Sequence, residues 1–402
     1  MSEFTFMVLG EKKVIFLRRL LLLVLFGASL WAGRNGGGGD FLVLRTCVIR
    51  AWSYDFSHVY LKNVSGPFFY PPSALVFFAP FAIPMNLSSA IICNLVFHSI
   101  SFWVLWWGLR ELIPGLYETT AFKRWGLCFL FAIAPIHLDF MGQNINLPLA
   151  ALLILTERVR WEHSELNQFV AGFLSSIISW IKIFPAFMTV TYFIQGERSL
   201  RMGIVAGFFT GFLAPWIAFG REAGGLYRQF FETLLIYHDK NGITTNSALN
   251  FPGLIARWGE GVLPESLWKM LILGLPLIIA VVFFLSVWVL RSCRDNKTFR
   301  CGIWSMAMGL MVFLNSASRV DYFMFYLPAF ALCAAEFLKQ SLKEKVLFLA
   351  SFAAMALTQQ AMVGRDWNIA LQHARIPVIG MGMLLFSLAL LLKRHSQQTL
   401  FS

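Results

Sequence analysis

The residues best suited to chemistry lie in polar turns between apolar runs. Asp40 follows four consecutive glycines, Gly36 to Gly39, and precedes the run Phe41 to Trp52. Glycine frees the backbone, so this turn can present a carboxylate at a membrane edge. A carboxylate placed there can act as general base on a hydroxyl, or it can simply cap the following helix and complement its dipole. Gln143, Asn144 and Asn146 set three amides within four positions. Such a set hydrogen-bonds a hydroxyl-rich ligand or caps the next helix. Lys182 stands alone between two apolar runs, just ahead of Pro185. A lysine there is unfavourable unless it faces a cavity or an anion, the simpler alternative being a side chain that snorkels to the surface. Arg319 and Asp321 flank Val320; they can pair with each other, or the guanidinium can grip a phosphate. The 220–266 segment contributes Asn246 and Arg257 as candidate substrate contacts.

The elements that must position these residues are apolar. Of 402 residues 58% are hydrophobic and 13% charged, against about 25% charged in a soluble domain. The pattern reads as one all-α integral membrane domain over 1–402, and no soluble domain is left over. About twelve spans follow from apolar runs, at 15–33, 87–109, 125–139, 146–157, 167–181, 184–196, 200–219, 267–290, 301–314, 322–338, 346–362 and 375–392, several of them short against the roughly 20 residues a crossing takes. Prolines at 71, 72, 80 and 84 bound a stretch expected to enter the membrane without crossing it. The first outer loop, 34–86, and the fourth, 220–266, are each expected to carry an amphipathic helix.

Charge sets the orientation. Twenty of the 33 Lys and Arg residues fall in short loops or ends on one side of these spans, among them Lys12, Lys13, Arg291, Arg300, Lys339 and Lys343. That side reads as cytoplasmic, with both termini. The candidate residues all fall on the opposite side. The net charge of +12 is therefore a topology signal, and no nucleic-acid partner is expected. Six scattered cysteines form no CxxC and no metal spacing, so neither a disulfide framework nor a zinc site is read. The charged N-terminus followed by Leu20 to Trp31 is expected to be an uncleaved first span. There is no P-loop, no GxGxxG and no HExxH.

Taken in order, several segments resemble the membrane glycosyltransferases of the GT-C fold, specifically glycosyltransferase family 87. They are Gly39-Asp40-Phe41; Phe69-Tyr70-Pro71-Pro72 with Pro80 and Pro84; Gly142-Gln143-Asn144; Lys182 with Pro185; Asn246-Ser247; and Ser316 to Tyr322. The resemblance runs from about 34 to 338, with a GT-C-like core over 15–338 and further spans at 346–392. The family includes polyprenol-phosphate-mannose-dependent α-mannosyltransferases. It implies a helical bundle and inverting transfer of a hexose, mannose foremost, from a polyprenyl-phosphate donor to a lipid or glycan acceptor. Asp40 would be the base. Lys182, Arg257 and Arg319 would hold the donor phosphate, and Tyr70, Gln143, Asn144, Asn246 and Asp321 would contact substrate. The family usually has proline, tryptophan and histidine where this chain has Ala317, Arg319 and Asp321, which leaves the donor sugar open. No cofactor is implied, and a metal carried by the donor phosphate stays an open question. A bacterial inner membrane is the expected location, with the site on the periplasmic side. The rival expectation is a lipid-linked saccharide transporter or flippase of envelope synthesis.

Overall fold

The computed structural model describes residues 2–60, 69–83, 86–162, 164–240, 249–259, 262–291, 296–315, 318–359 and 363–401. Their regular structure is all helical, with no strand among the described residues. In chain order the helices are α1 (Ser2–Asn35), α2 (Gly39–Trp52), α3 (Pro72–Phe77), α4 (Ala79–Ala82), α5 (Leu87–Leu112), α6 (Phe122–Gly142), α7 (Asn146–Arg160) and α8 (Glu165–Ile181). There follow α9 (Ala186–Gln195), α10 (Arg198–Phe219), α11 (Glu222–Lys240), α12 (Phe251–Gly259), α13 (Glu265–Val289), α14 (Lys297–Phe313), α15 (Leu327–Ala335) and α16 (Leu342–Ala356). Two more, Arg365–His373 and Ile376–Phe401, complete the described chain.

Among the described residues six stretches are long and apolar enough to cross a membrane: Glu11–Asn35, Leu87–Leu112, Thr119–Gly142, Arg198–Phe219, Ser266–Val289 and Ile376–Gln397. This is half the number expected from apolar runs, and length is the reason. Helices α7, α8 and α9 have 15, 17 and 10 residues; at 1.5 Å per residue each rises less than the ~30 Å hydrocarbon core. Helices occupy 39–52 and 222–240, in the stretches read from sequence as the first and fourth outer loops. The proline-bounded stretch forms the two short helices α3 and α4.

One seam fixes the part of the bundle beneath the site. Helices α8 and α10 pack backbone to backbone. A Cβ on Gly172 would meet the carbonyl of Leu200, and one on Gly203 or Gly207 would meet the carbonyls of Phe169 and Phe173. Gly203, Gly207 and Gly211 recur every fourth residue, so they line one face of α10, the small-residue pattern that lets helices approach in lipid. Ser176 of α8 donates across the seam to the Ile204 carbonyl at 2.8 Å. Above it Trp180 lies over Gly211, and its own carbonyl accepts the Ser73 hydroxyl at 2.7 Å.

At the far end of α7 a buried charge knot holds the bundle. Arg160 donates twice to the fully buried Glu157, at 2.8 and 2.6 Å, and Trp161 Nε1 adds a third bond at 2.7 Å. Arg300 of α14 stands 3.6 Å away. Eleven residues separate Glu157 from Asn146, about 16 Å along the helix.

Candidate active site

The first turn of α2 carries Asp40. Gly37 and Gly38 take φ of 76° and 60°, the left-handed region where glycine is at ease. A side chain on Gly38 would also press within 2.9 Å of Gln143 Cδ, so glycine lets this turn settle on the α6–α7 connection. A Cβ on Gly142 would lie in ordinary contact with Asp40 Oδ2, at 3.5 Å. Asp40 does not cap its own helix: the N-cap is Gly38, with no side-chain cap bond. Its Oδ2 instead accepts from Asn144 Nδ2 at 2.9 Å and Arg319 Nη2 at 3.0 Å.

From Asp40 a chain of polar contacts runs to Lys182. Asn144 Nδ2 also donates to Asp321 Oδ2 at 3.1 Å, and Arg319 Nη2 reaches the same oxygen at 3.3 Å. Asn146 Nδ2 donates to Asp321 Oδ2 at 2.9 Å, and its Oδ1 accepts from Lys182 Nζ at 2.7 Å. Residues from α2, the α6–α7 turn, the 182–185 break and the 318–326 segment thus meet in one cluster. Asp40 and Arg319 remain partly open, with side chains 39% and 47% exposed, whereas Asp321 and Asn146 are buried. A substrate can therefore reach the first pair while the second pair braces it.

Lys182 sits where α8 ends. Its own backbone is extended, and its N–H closes the helix on the Ile178 carbonyl. Pro185 disfavours a helical continuation through Phe184, since the residue before proline is pushed out of the α region, and α9 starts just after it. The ammonium lies 4.5 Å from the Tyr322 ring centroid, 5.3 Å from Phe184 and 5.6 Å from Tyr70, which supplies cation–π attraction in place of water. Burial lowers its pKa to about 8. Arg319 moves the other way: Asp321, then Asp40, raise it above the ordinary arginine value. Tyr70 is pushed up by burial, and its carbonyl accepts the Tyr60 hydroxyl at 2.8 Å.

One cavity opens on this cluster at Lys182, and a second lies next to the first. One of about 440 Å³ is lined by Lys182, Tyr322, Asn315, Phe69, Phe184 and Leu234, among others. The second, about 420 Å³ and almost wholly apolar, runs past Trp180, Phe208, Tyr227 and Phe230. Ile183 and Ala186 belong to both walls.

The other candidates fall differently. Gln143 is buried and its amide is engaged within the protein: Nε2 donates to the Gly33 carbonyl at 3.1 Å, and Oε1 accepts from Asn94 at 3.2 Å. Its backbone is left-handed, φ 51°, closing α6. Arg257 contacts His373 on the Arg365–His373 helix. Asn246 lies outside the described residues. Sequence reasoning missed the layer beneath, Asn94, His98 and Asp139, although polar groups inside apolar runs were a usable signal. Among the described residues no three of His, Cys, Asp or Glu gather as metal ligands; Asp40 and Asp321 share one guanidinium.

Neither a curated protein nor a solved structure matches the chain. The sequence does match the family described as Glycosyltransferase family 87 over residues 68–316. That stretch contains Tyr70, Asn144, Asn146 and Lys182, while Asp40, Arg319 and Asp321 lie beyond its ends and join through geometry. With apolar helices long enough to cross a membrane and a polar cluster built between them, the chain belongs to glycosyltransferase family 87.

Proposed function

We propose that the protein transfers a hexose, mannose foremost, from a polyprenyl-phosphate donor to a hydroxyl of a lipid or glycan acceptor, with inversion. The observation that carries this reading is the contact chain from Asp40 to Lys182: a candidate base and a candidate phosphate ligand share one cluster. Asp40 Oδ2 is occupied by Asn144 and Arg319, which leaves Oδ1 to receive a proton. The acceptor oxygen attacks the anomeric carbon, its proton passes to Oδ1, and the anomeric carbon–phosphate oxygen bond breaks. The bonding pair leaves with polyprenyl phosphate. Lys182 and Arg319 balance the charge that grows on that phosphate, the kind of stabilisation that counts most in a site shielded from water. The cavity beside Lys182 suits the sugar phosphate, and the apolar cavity sharing Ile183 and Ala186 suits the first isoprene units. Tyr70 and Tyr322 offer ring faces to the sugar. Gln143 and Asn144 support the site from beneath, and Arg257, beside His373, stands as a second contact for anionic substrate.

On this reading the site faces the periplasm of a bacterial inner membrane, and both termini are cytoplasmic. The biased placement of Lys and Arg supports that orientation. The test is purified protein with labelled polyprenyl-phosphate sugars, wild type against Asp40→Asn. A positioned carboxylate base contributes roughly 10²–10⁴-fold, so D40N is expected to lose at least about 10²-fold in transfer while folding normally. Near-normal transfer by D40N removes Asp40 as base. Movement of labelled lipid across vesicles with no new glycosidic bond supports the transporter instead.

A further inference from the structure

Asn144 is the hinge of the cluster, and every polar atom it owns is committed. Its N–H donates to the Asp139 carbonyl at 3.1 Å. Its Oδ1 accepts the Ile145 N–H at 2.8 Å, and its Nδ2 holds Asp40 and Asp321. Its carbonyl accepts from His98 Nε2 at 2.6 Å. His98 belongs to α5 and is fully buried. Its Nδ1 lies 2.9 Å from the Asn94 carbonyl, and its Nε2 lies 3.3 Å from Asp139 Oδ2. The Asn144 carbonyl can only accept, so the ε nitrogen carries a proton and donates it. Asp139 Oδ2 in turn accepts the Leu147 N–H at 3.0 Å, satisfying a donor at the start of α7 that has no partner within the helix.

We infer that His98 is a positioning residue of the transfer reaction: through Asn144 it sets where the carboxylate of Asp40 stands. The inference rests on the proposed role of Asp40. His98 touches no cavity wall described above and makes no contact with Asp40, Arg319 or Lys182, so its effect must pass through the α6–α7 turn. Asn94, one helical turn before His98, steadies the other side of that turn by donating to the Gln143 side chain. The α5 helix thus grips both residues of the Gln143-Asn144 pair from below, while Asn146 holds Lys182 on the other side of the cluster.

Chemistry separates this role from mere filling of space. A glutamine at 98 can place its amide nitrogen where Nε2 stands and keep the bond to Asn144. An asparagine reaches only the Nδ1 position, and leucine reaches neither. The experiment is steady-state transfer by His98→Gln, His98→Asn and His98→Leu, with Asp40→Asn alongside and thermal unfolding of each. A misplacement of about 1 Å at a reacting group can lower a rate by ~10²-fold. H98N and H98L are therefore expected to lose roughly 10- to 100-fold in kcat with donor KM unchanged, and H98Q to stay within about threefold of wild type. Asn144→Ala is expected to show the same kcat loss, and H98N with N144A no further loss, because both remove one linkage. Equal kcat in H98Q and H98N overturns the inference, as do additive losses in the double variant or a loss confined to KM. If the His98 variants do not fold, N144A decides: unchanged kcat in that variant sinks the linkage. Activity in D40N instead overturns the role of Asp40 itself, which keeps the two failures apart.

Discussion

Lys182 ties the site to pH. Burial brings its pKa down to about 8, so the ammonium is charged below that pH and neutral above it. If it holds the donor phosphate, donor KM rises as pH climbs through about 8, because the cation is what the phosphate binds. Arginine stays protonated throughout, so Lys182→Arg should hold donor KM level over the same range. Initial rates at varied donor concentration on both sides of that pH check it; superimposable wild-type and K182R profiles would remove Lys182 from phosphate binding. At this scale the sequence was informative where a polar residue stood somewhere unexpected. Asp40 after four glycines, Lys182 before Pro185 and Arg319 beside Asp321 were each conspicuous, and one cluster collects them. What the sequence hid was the partner of each. Gln143 and Asn144 read as ligand amides by type, yet their bonds go to Gly33, Asn94, Asp40 and Asp321, and only three-dimensional packing decides that.

Helices set the precision of the cluster. The glycines of α10 let α8 come close enough for its end, at Trp180 and Lys182, to meet α3 and the α6–α7 turn. Gly207→Leu would drive a branched side chain into the Phe173 carbonyl and Ser176. Overpacking of this kind costs about 1–3 kcal/mol, and because the seam ends at the break, donor KM should rise as well. Thermal unfolding in detergent together with KM measures both; a variant of unchanged stability would show that the seam yields freely. The glycine spacing was legible in the chain, but the span count was not. An apolar run announces burial, and burial in a bundle asks nothing of helix length. Helices α7, α8 and α9 are apolar because they pack against other helices, and each falls short of a full crossing on its own.

Across the whole molecule, the charge knot and the candidate site lie at opposite ends of α7. Glu157 has no exposed surface and depends on Arg160 for its compensation. Arg160→Met leaves that carboxylate buried beside a more distant guanidinium, and breaking a buried pair costs about 3–5 kcal/mol. The expected outcome is a large fall in unfolding temperature with kcat per folded molecule unchanged, measured on protein that survives size exclusion. A fall in kcat of the folded fraction would mean that the two ends are mechanically coupled. The general architecture, an all-helical membrane protein, was readable from hydropathy. The charge knot was not, because Glu157, Arg160 and Arg300 each look like ordinary flanking charges until the helices are assembled.

The contacts on Asp40 join residues 104 and 279 positions apart along the polypeptide. Synthesis runs from the N-terminus, so the carboxylate is made early and its guanidinium partner late. A nascent chain halted before residue 319 holds the acid and half of its cradle, with nothing to tether the open side. The contacts on this carboxylate are therefore completed only after nearly four-fifths of the 402 residues have been made.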